Sequence, residues 1–119
     1  MKHFKLEEFK CHCGCGDFLM SPTFLQMLDR AREIADVPFI IVSGKRCPAH
    51  NASVGSTSTN HVRGKASDIK AVDGPTRGKI LKGLYLAGFI RIGISFKGKF
   101  IHADINDGPE SCWDYGGGE

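Results

Sequence analysis

The stretch Phe100-Ile101-His102-Ala103-Asp104-Ile105 decides how the rest of the chain is read. Residues two apart in a strand share a face, so Phe100, His102 and Asp104 point one way and Ile101, Ala103 and Ile105 the other. One face suits a core, and the other carries an imidazole and a carboxylate. Upstream, Phe89-Ile90-Arg91-Ile92-Gly93-Ile94 reads as a second strand, joined to the first by a turn through Lys97-Gly98-Lys99. A third strand is expected from Ala66 to Val72, where the same alternation groups Ala66 with Asp68. Asp68 therefore faces His102 if these strands are neighbours.

Further out, the helical signals are clear. Ser21 is an N-cap with Pro22 at the first helical position, and Phe24, Leu25, Met27, Leu28, Ala31, Ile34 and Ala35 recur at helical spacing before Pro38 ends the pattern. Pro75 opens a second helix carrying Ile80, Leu81, Leu84 and Ala87, closed by Gly88. Phe39-Ile40-Ile41-Val42 is a short buried strand that delivers Ser43, Gly44, Lys45 and Arg46 at its end. From Cys47 to Asn60 the small polar residues predict a long ordered loop, a kind of segment that is frequently functional in compact domains. Cys11 to Gly16 reads as an irregular loop and Gly116-Gly117-Gly118 as a frayed tail. The sum is an α+β domain with a mainly antiparallel sheet, single over residues 1–119.

Composition narrows the function classes. With 41% hydrophobic and 24% charged residues the chain is an ordinary globular one, and a net charge of +3 gives no argument for a nucleic-acid partner. It does suit a weakly basic protein approaching an anionic polymer. No apolar run approaches the roughly 18 residues of a membrane span, so no membrane insertion is expected. Met1-Lys2-His3-Phe4-Lys5-Leu6-Glu7-Glu8-Phe9 does not read as a secretory signal, so the expectation is synthesis in the cytoplasm. Of five cysteines, Cys11, Cys13 and Cys15 are crowded while Cys47 and Cys112 are distant. Alternating Cys-x-Cys-x-Cys is not a zinc knuckle, and no matching pair follows. A reduced or partly disulfide-bonded turn is expected there, with Cys11, Cys13 or Cys15 packed near Cys47 or Cys112, in preference to a structural metal. The wrong Cys spacing and the lack of interleaved aromatic and basic residues also argue against a small nucleic-acid-binding zinc module.

The chemistry gathers around Thr59-Asn60-His61-Val62-Arg63-Gly64-Lys65-Ala66-Ser67-Asp68. Gly64 gives the backbone freedom to fold His61 back toward Asp68. With His102, the set offers two imidazoles and one carboxylate. Catalytic zinc sites keep three protein ligands and one open position, whereas structural ones close the tetrahedron. Taken singly, a His on a strand face is more often a hydrogen-bonded core residue than a ligand.

Order and spacing add to this. Ser43-Gly44-Lys45-Arg46-Cys47-Pro48-Ala49-His50-Asn51, then His61-x-x-Gly64-x-Ala66-x-Asp68, then His102-Ala103-Asp104, together resemble the zinc D-alanyl-D-alanine carboxypeptidase family of cell-wall peptidases. Phe9-Lys10-Cys11-His12-Cys13-Gly14-Cys15-Gly16 is similar to the start of small, often phage-encoded members, and the likeness runs from about Phe4 to Trp113. It implies His61, Asp68 and His102 as ligands of about one zinc per chain, in a fold shared with the signalling domain of hedgehog proteins. It also implies peptidoglycan stems or cross-bridges as substrate; a monomer is expected, and, without a signal, phage-type release or delivery to the bacterial cell wall.

The chain departs from the pattern twice: Thr59 stands where the family usually has Ser, and Lys99 where several relatives carry a catalytic acid. Lysine cannot be that base. Asp104, on the His102 face, is expected to replace it as general base and acid, the alternative being that it orients His102. Arg46 is expected to stabilise the oxyanion or bind a substrate carboxylate bidentately. Ser43 and Thr59 are candidate substrate contacts, Asn51 a brace for the long loop, and His12 and His50 non-ligands. Trp113, with Tyr115, walls the cleft or caps the core. The rival reading is a catalytically silent zinc-containing binding domain of hedgehog-like fold.

Overall fold

Ser21 starts the first helix as its position requires, its hydroxyl accepting the Phe24 N–H at 3.3 Å. Pro22 follows at the first helical position, where a missing N–H leaves nothing unsatisfied. In the computed structural model, which describes residues 2–15, 19–54 and 61–115, this helix is α1, Pro22–Ala35, burying Phe24, Leu25, Leu28, Ala31 and Ala35. Asp36, in the left-handed conformation at φ 56°, closes it. The other elements in chain order are β1 (Ile41–Ser43), α2 (Pro48–Ser53), β2 (Ala66–Lys70), α3 (Gly74–Leu86), β3 (Arg91–Ser95), β4 (Phe100–Asp104) and β5 (Ser111–Asp114). A short 3-10 turn, Leu6–Phe9, precedes them.

The strands form one sheet in the order β1-β2-β4-β3-β5, antiparallel at every pairing except β3 with β5. The protein is thus an α+β fold with a mainly antiparallel sheet, as expected. Ile69, Ile92, Ile101 and Ala103 pack into one core with Phe24, Leu28, Ile80 and Leu84 of the two long helices. Phe24 and Phe89 meet edge to face at 5.8 Å. No helix among the described residues is long and apolar enough to cross a membrane.

At the crossing of α1 and α3 the helices approach backbone to side chain. A Cβ at Gly83 would run into the Ala31 carbonyl and stand 2.9 Å from the Ala35 Cβ. Gly→Ala in a helix interior ordinarily stabilises by roughly 0.5–1 kcal/mol. Here the sign reverses: Gly83→Ala is expected to destabilise by about 1–3 kcal/mol, the range for overpacking a closed interface. Chemical denaturation of the two proteins checks this, and a variant as stable as the parent would contradict the close approach.

Three features depart from the sequence reading. The supposed loop after Cys47 contains helix α2, too short to show a period and capped by a residue outside the usual set: the Cys47 sulfur accepts the His50 N–H at 3.4 Å. The parallel strand β5 was not anticipated, since four residues after Gly108-Pro109 carry no alternation that marks them. The first strand begins at Ile41, although Ile40 already accepts the Lys70 N–H at 2.9 Å, and the strand is not buried: it lies at the sheet edge with Ile40 and Val42 exposed. Thr59 and the Gly116-Gly117-Gly118 tail lie outside the described residues.

Candidate metal centre

Register aligns the site. Asp68 of β2 pairs with His102 of β4, His102 with Gly93 of β3, and Gly93 with Trp113 of β5, giving one row across the sheet on the face away from the core. At the other end of the row, β1 bulges between Ile41 and Ser43, which brings Ser43 opposite Asp68. His61 enters from the turn before β2. That turn depends on Gly64 at φ +70°, where a Cβ would stand 2.5 Å from the Leu19 carbonyl oxygen.

The donors can be assigned from what their partners are able to accept. His61 Nδ1 lies 2.7 Å from the Gly44 carbonyl, which can only accept, so Nδ1 carries the hydrogen and Nε2 keeps its lone pair. His102 Nε2 lies 2.8 Å from Asp104 Oδ2; by the same argument it donates, which leaves Nδ1 facing Asp68 Oδ1 at 3.0 Å. His61 Nε2 faces that same oxygen at 3.4 Å. Three ligand atoms therefore converge within 4.8 Å of one another on buried side chains. Donors about 2.0–2.1 Å from a tetrahedral zinc stand about 3.3 Å apart, so the spacing fits. Each imidazole has its other nitrogen bound to a carbonyl or carboxylate, the support that metal-ligating histidines require.

Burial opposes charge on His102, but hydrogen bonds with Asp104 and Asp68 outweigh it and raise its pKa to about 9. Burial alone would likewise raise Asp68, yet its bonds with His102 and His61 hold it well below the usual carboxylate range.

Arg46 borders the set. Its Nε donates to Ser43 Oγ at 3.2 Å and its Nη1 to Asn51 Oδ1 at 3.3 Å, which leaves Nη2 3.7 Å from Asp68 Oδ2. Asn51, expected to brace the loop, braces this guanidinium, and the Ser43 hydroxyl is engaged with it too. On the opposite side the Trp113 ring stands 5.5 Å from the His102 ring. It fits there because Gly93 has no side chain: a Cβ would come within 2.5 Å of the indole Nε1.

Asp104 lies behind His102, across the imidazole from Asp68, with its carboxylate fully buried. Oδ2 takes the His102 bond, while Oδ1 accepts from Arg91 Nε at 2.8 Å and from the Asn106 N–H at 3.1 Å. Its pKa is depressed, since these bonds to His102 and Arg91 outweigh burial. His12 and His50 face each other at 6.3 Å, and neither belongs to the His61 group.

The sequence reading passed over Arg91, Gly93 and the Gly44 carbonyl. Arg91 and Gly93 were legible in principle, since they alternate on a strand opposite Asp104 and His102. The Gly44 carbonyl had no signal, because a backbone acceptor leaves no trace in residue type.

Comparison with known proteins bears on the same segments. The family model described as Peptidase M15 matches residues 2–104, which span His61, Asp68, His102 and Asp104 and stop short of β5. No curated protein matches the chain.

Proposed function

The chain belongs to the peptidase M15 family, and from that premise we propose that it is a zinc peptidase hydrolysing peptide bonds in the stems or cross-links of peptidoglycan. The observation that carries this reading is the convergence of His61 Nε2, Asp68 Oδ1 and His102 Nδ1 on one point, each histidine anchored at its far nitrogen. These three residues would hold the zinc. When bound, zinc supplies a Lewis acid for the scissile carbonyl and makes water acidic enough to ionise near neutral pH.

The remaining roles belong to the chain's own residues. Arg46, fastened by Ser43 and Asn51, offers a cation beside the site to a developing oxyanion or to a substrate carboxylate. Held in place before substrate arrives, it needs little reorganisation during the reaction. Trp113 forms one wall, its indole available to pack against the peptide. Thr59, two residues before His61, is proposed as a substrate hydrogen-bond donor. For Asp104 the buried placement supports a positioning role in preference to the expected one of general base: it accepts the hydrogen bond from His102 Nε2 and so keeps Nδ1 turned toward Asp68 and free to bind the zinc, with Arg91 fixing the carboxylate.

Incubating the zinc-loaded protein with purified cell-wall muropeptides and reading the products by mass spectrometry tests the proposal. New amine termini or released D-amino acids are expected, and the product masses identify the bond cut. A zinc-loaded protein that binds the fragments without cutting them would replace the peptidase reading with a zinc-containing binding domain.

A further inference from the structure

Away from the His–Asp–His set, the sulfurs of Cys11, Cys13, Cys15 and Cys47 also lie within 4.8 Å of one another. Cys11 and Cys13 approach to 3.4 Å and Cys13 and Cys47 to 3.5 Å. Sulfurs bound about 2.3 Å from a tetrahedral zinc stand about 3.8 Å apart, close to these separations. A disulfide joins only two sulfurs, at about 2.05 Å, and would leave the other two crowded against it. The backbone is shaped for convergence: Gly14 at φ +86° turns the Cys-x-Cys-Gly-Cys strip, and nothing lies within 4 Å of where its Cβ would be, so conformation and not space calls for glycine there. The Cys47 N–H points to Cys11 Sγ at 3.4 Å and the His50 N–H to Cys47 Sγ at 3.4 Å, donors of the kind that steady a thiolate.

We infer that Cys11, Cys13, Cys15 and Cys47 form a second, closed zinc site with a structural task. The sequence lacked a visible second pair of cysteines because the fourth ligand is the cap of α2, 34 residues beyond Cys13. The ion would fasten the N-terminal segment to the strand end that serves the first site. These two segments already touch. The Lys45 N–H donates to the Phe9 carbonyl at 2.8 Å, and a Cβ at Gly44 would stand 2.6 Å from Phe9 Cα. Between that contact and Cys47 lie the Gly44 carbonyl that orients His61, and Arg46, whose backbone N–H donates to the His61 carbonyl at 3.1 Å. A four-thiolate zinc here clamps the loop from its far end.

Zinc analysis of protein purified under reducing conditions tests this independently of peptidase activity. The wild-type chain is expected to carry about two zinc per chain, one in each type of site. His61→Ala should keep the thiolate-held ion, and after cobalt exchange should show the sulfur-to-cobalt charge-transfer absorption. A Cys13→Ser/Cys15→Ser double variant, altered at two exposed positions, should keep only the other ion and lose that absorption. If the double variant does not fold, the metal content and cobalt spectrum of His61→Ala still decide. A metal-free His61→Ala protein, rapid reaction of all these thiols with a thiol reagent in the zinc-loaded wild type, or a disulfide among them in freshly isolated protein would each overturn the inference. None of these results bears on whether the His–Asp–His site cuts peptides.

Discussion

The His61→Ala protein is expected to lose the zinc held by the His–Asp–His set and to hydrolyse its peptide substrate more than about a thousandfold more slowly, beyond the roughly 10²–10³ cost of one lost oxyanion donor. The loss exceeds that of a single donor because the substitution removes the ion along with one of its three ligands. Asp68 and His102 alone leave the ion with two protein ligands, and the two side chains lie within hydrogen-bonding distance of each other at 3.0 Å. The Gly44 carbonyl also loses its partner inside a buried turn. Metal analysis and turnover measured on one preparation check the prediction, against wild-type protein treated with a chelator. An undiminished rate in metal-depleted His61→Ala would remove zinc from the mechanism.

Asp104→Asn separates two roles that the sequence left open. If Asp104 acts through His102, the variant is expected to bind zinc roughly 10- to 100-fold more weakly, the usual cost of losing a carboxylate behind a ligating histidine. Turnover should then recover in large part once zinc is saturating. A general base would give the opposite pattern, with affinity preserved and turnover lost at any zinc concentration. Asn can still accept from His102 Nε2, but it withdraws the negative charge that now sits between His102 and the Arg91 guanidinium. Competition with a chromophoric chelator gives the affinity, and hydrolysis assayed across a zinc titration gives the rest.

How far the sequence revealed this arrangement depended on what kind of signal each part carries. Alternation in Phe100 to Ile105 and in Ala66 to Val72 placed His102 and Asp68 on one face, and the register bears this out by pairing them directly. The helices announced themselves through Ser21-Pro22 and through Pro75, both local chemistry. By contrast, the helix after Cys47 is too short to have a period to read, and the parallel strand at Ser111 to Asp114 is held by β3, distant in the chain. The side of His102 on which Asp104 lies was equally hidden. Face-sharing in a strand says that two side chains emerge together, not which nitrogen of an imidazole each carboxylate will meet.

The direct pairing of Asp68 with His102 has a consequence for how the chain reaches its fold. A slip of one residue between β2 and β4 would turn one of these side chains into the core and put a residue that cannot replace it as a ligand in its place: Ser67 or Ile69 for Asp68, Ile101 or Ala103 for His102. The ligands then cannot meet, and the binding free energy of the ion is withheld from the slipped sheet. α3 and β3 intervene between the two strands in the chain, so no tight turn fixes their register. Capture of the zinc proposed for this set would double as proofreading of strand alignment, rewarding one register of the central strands.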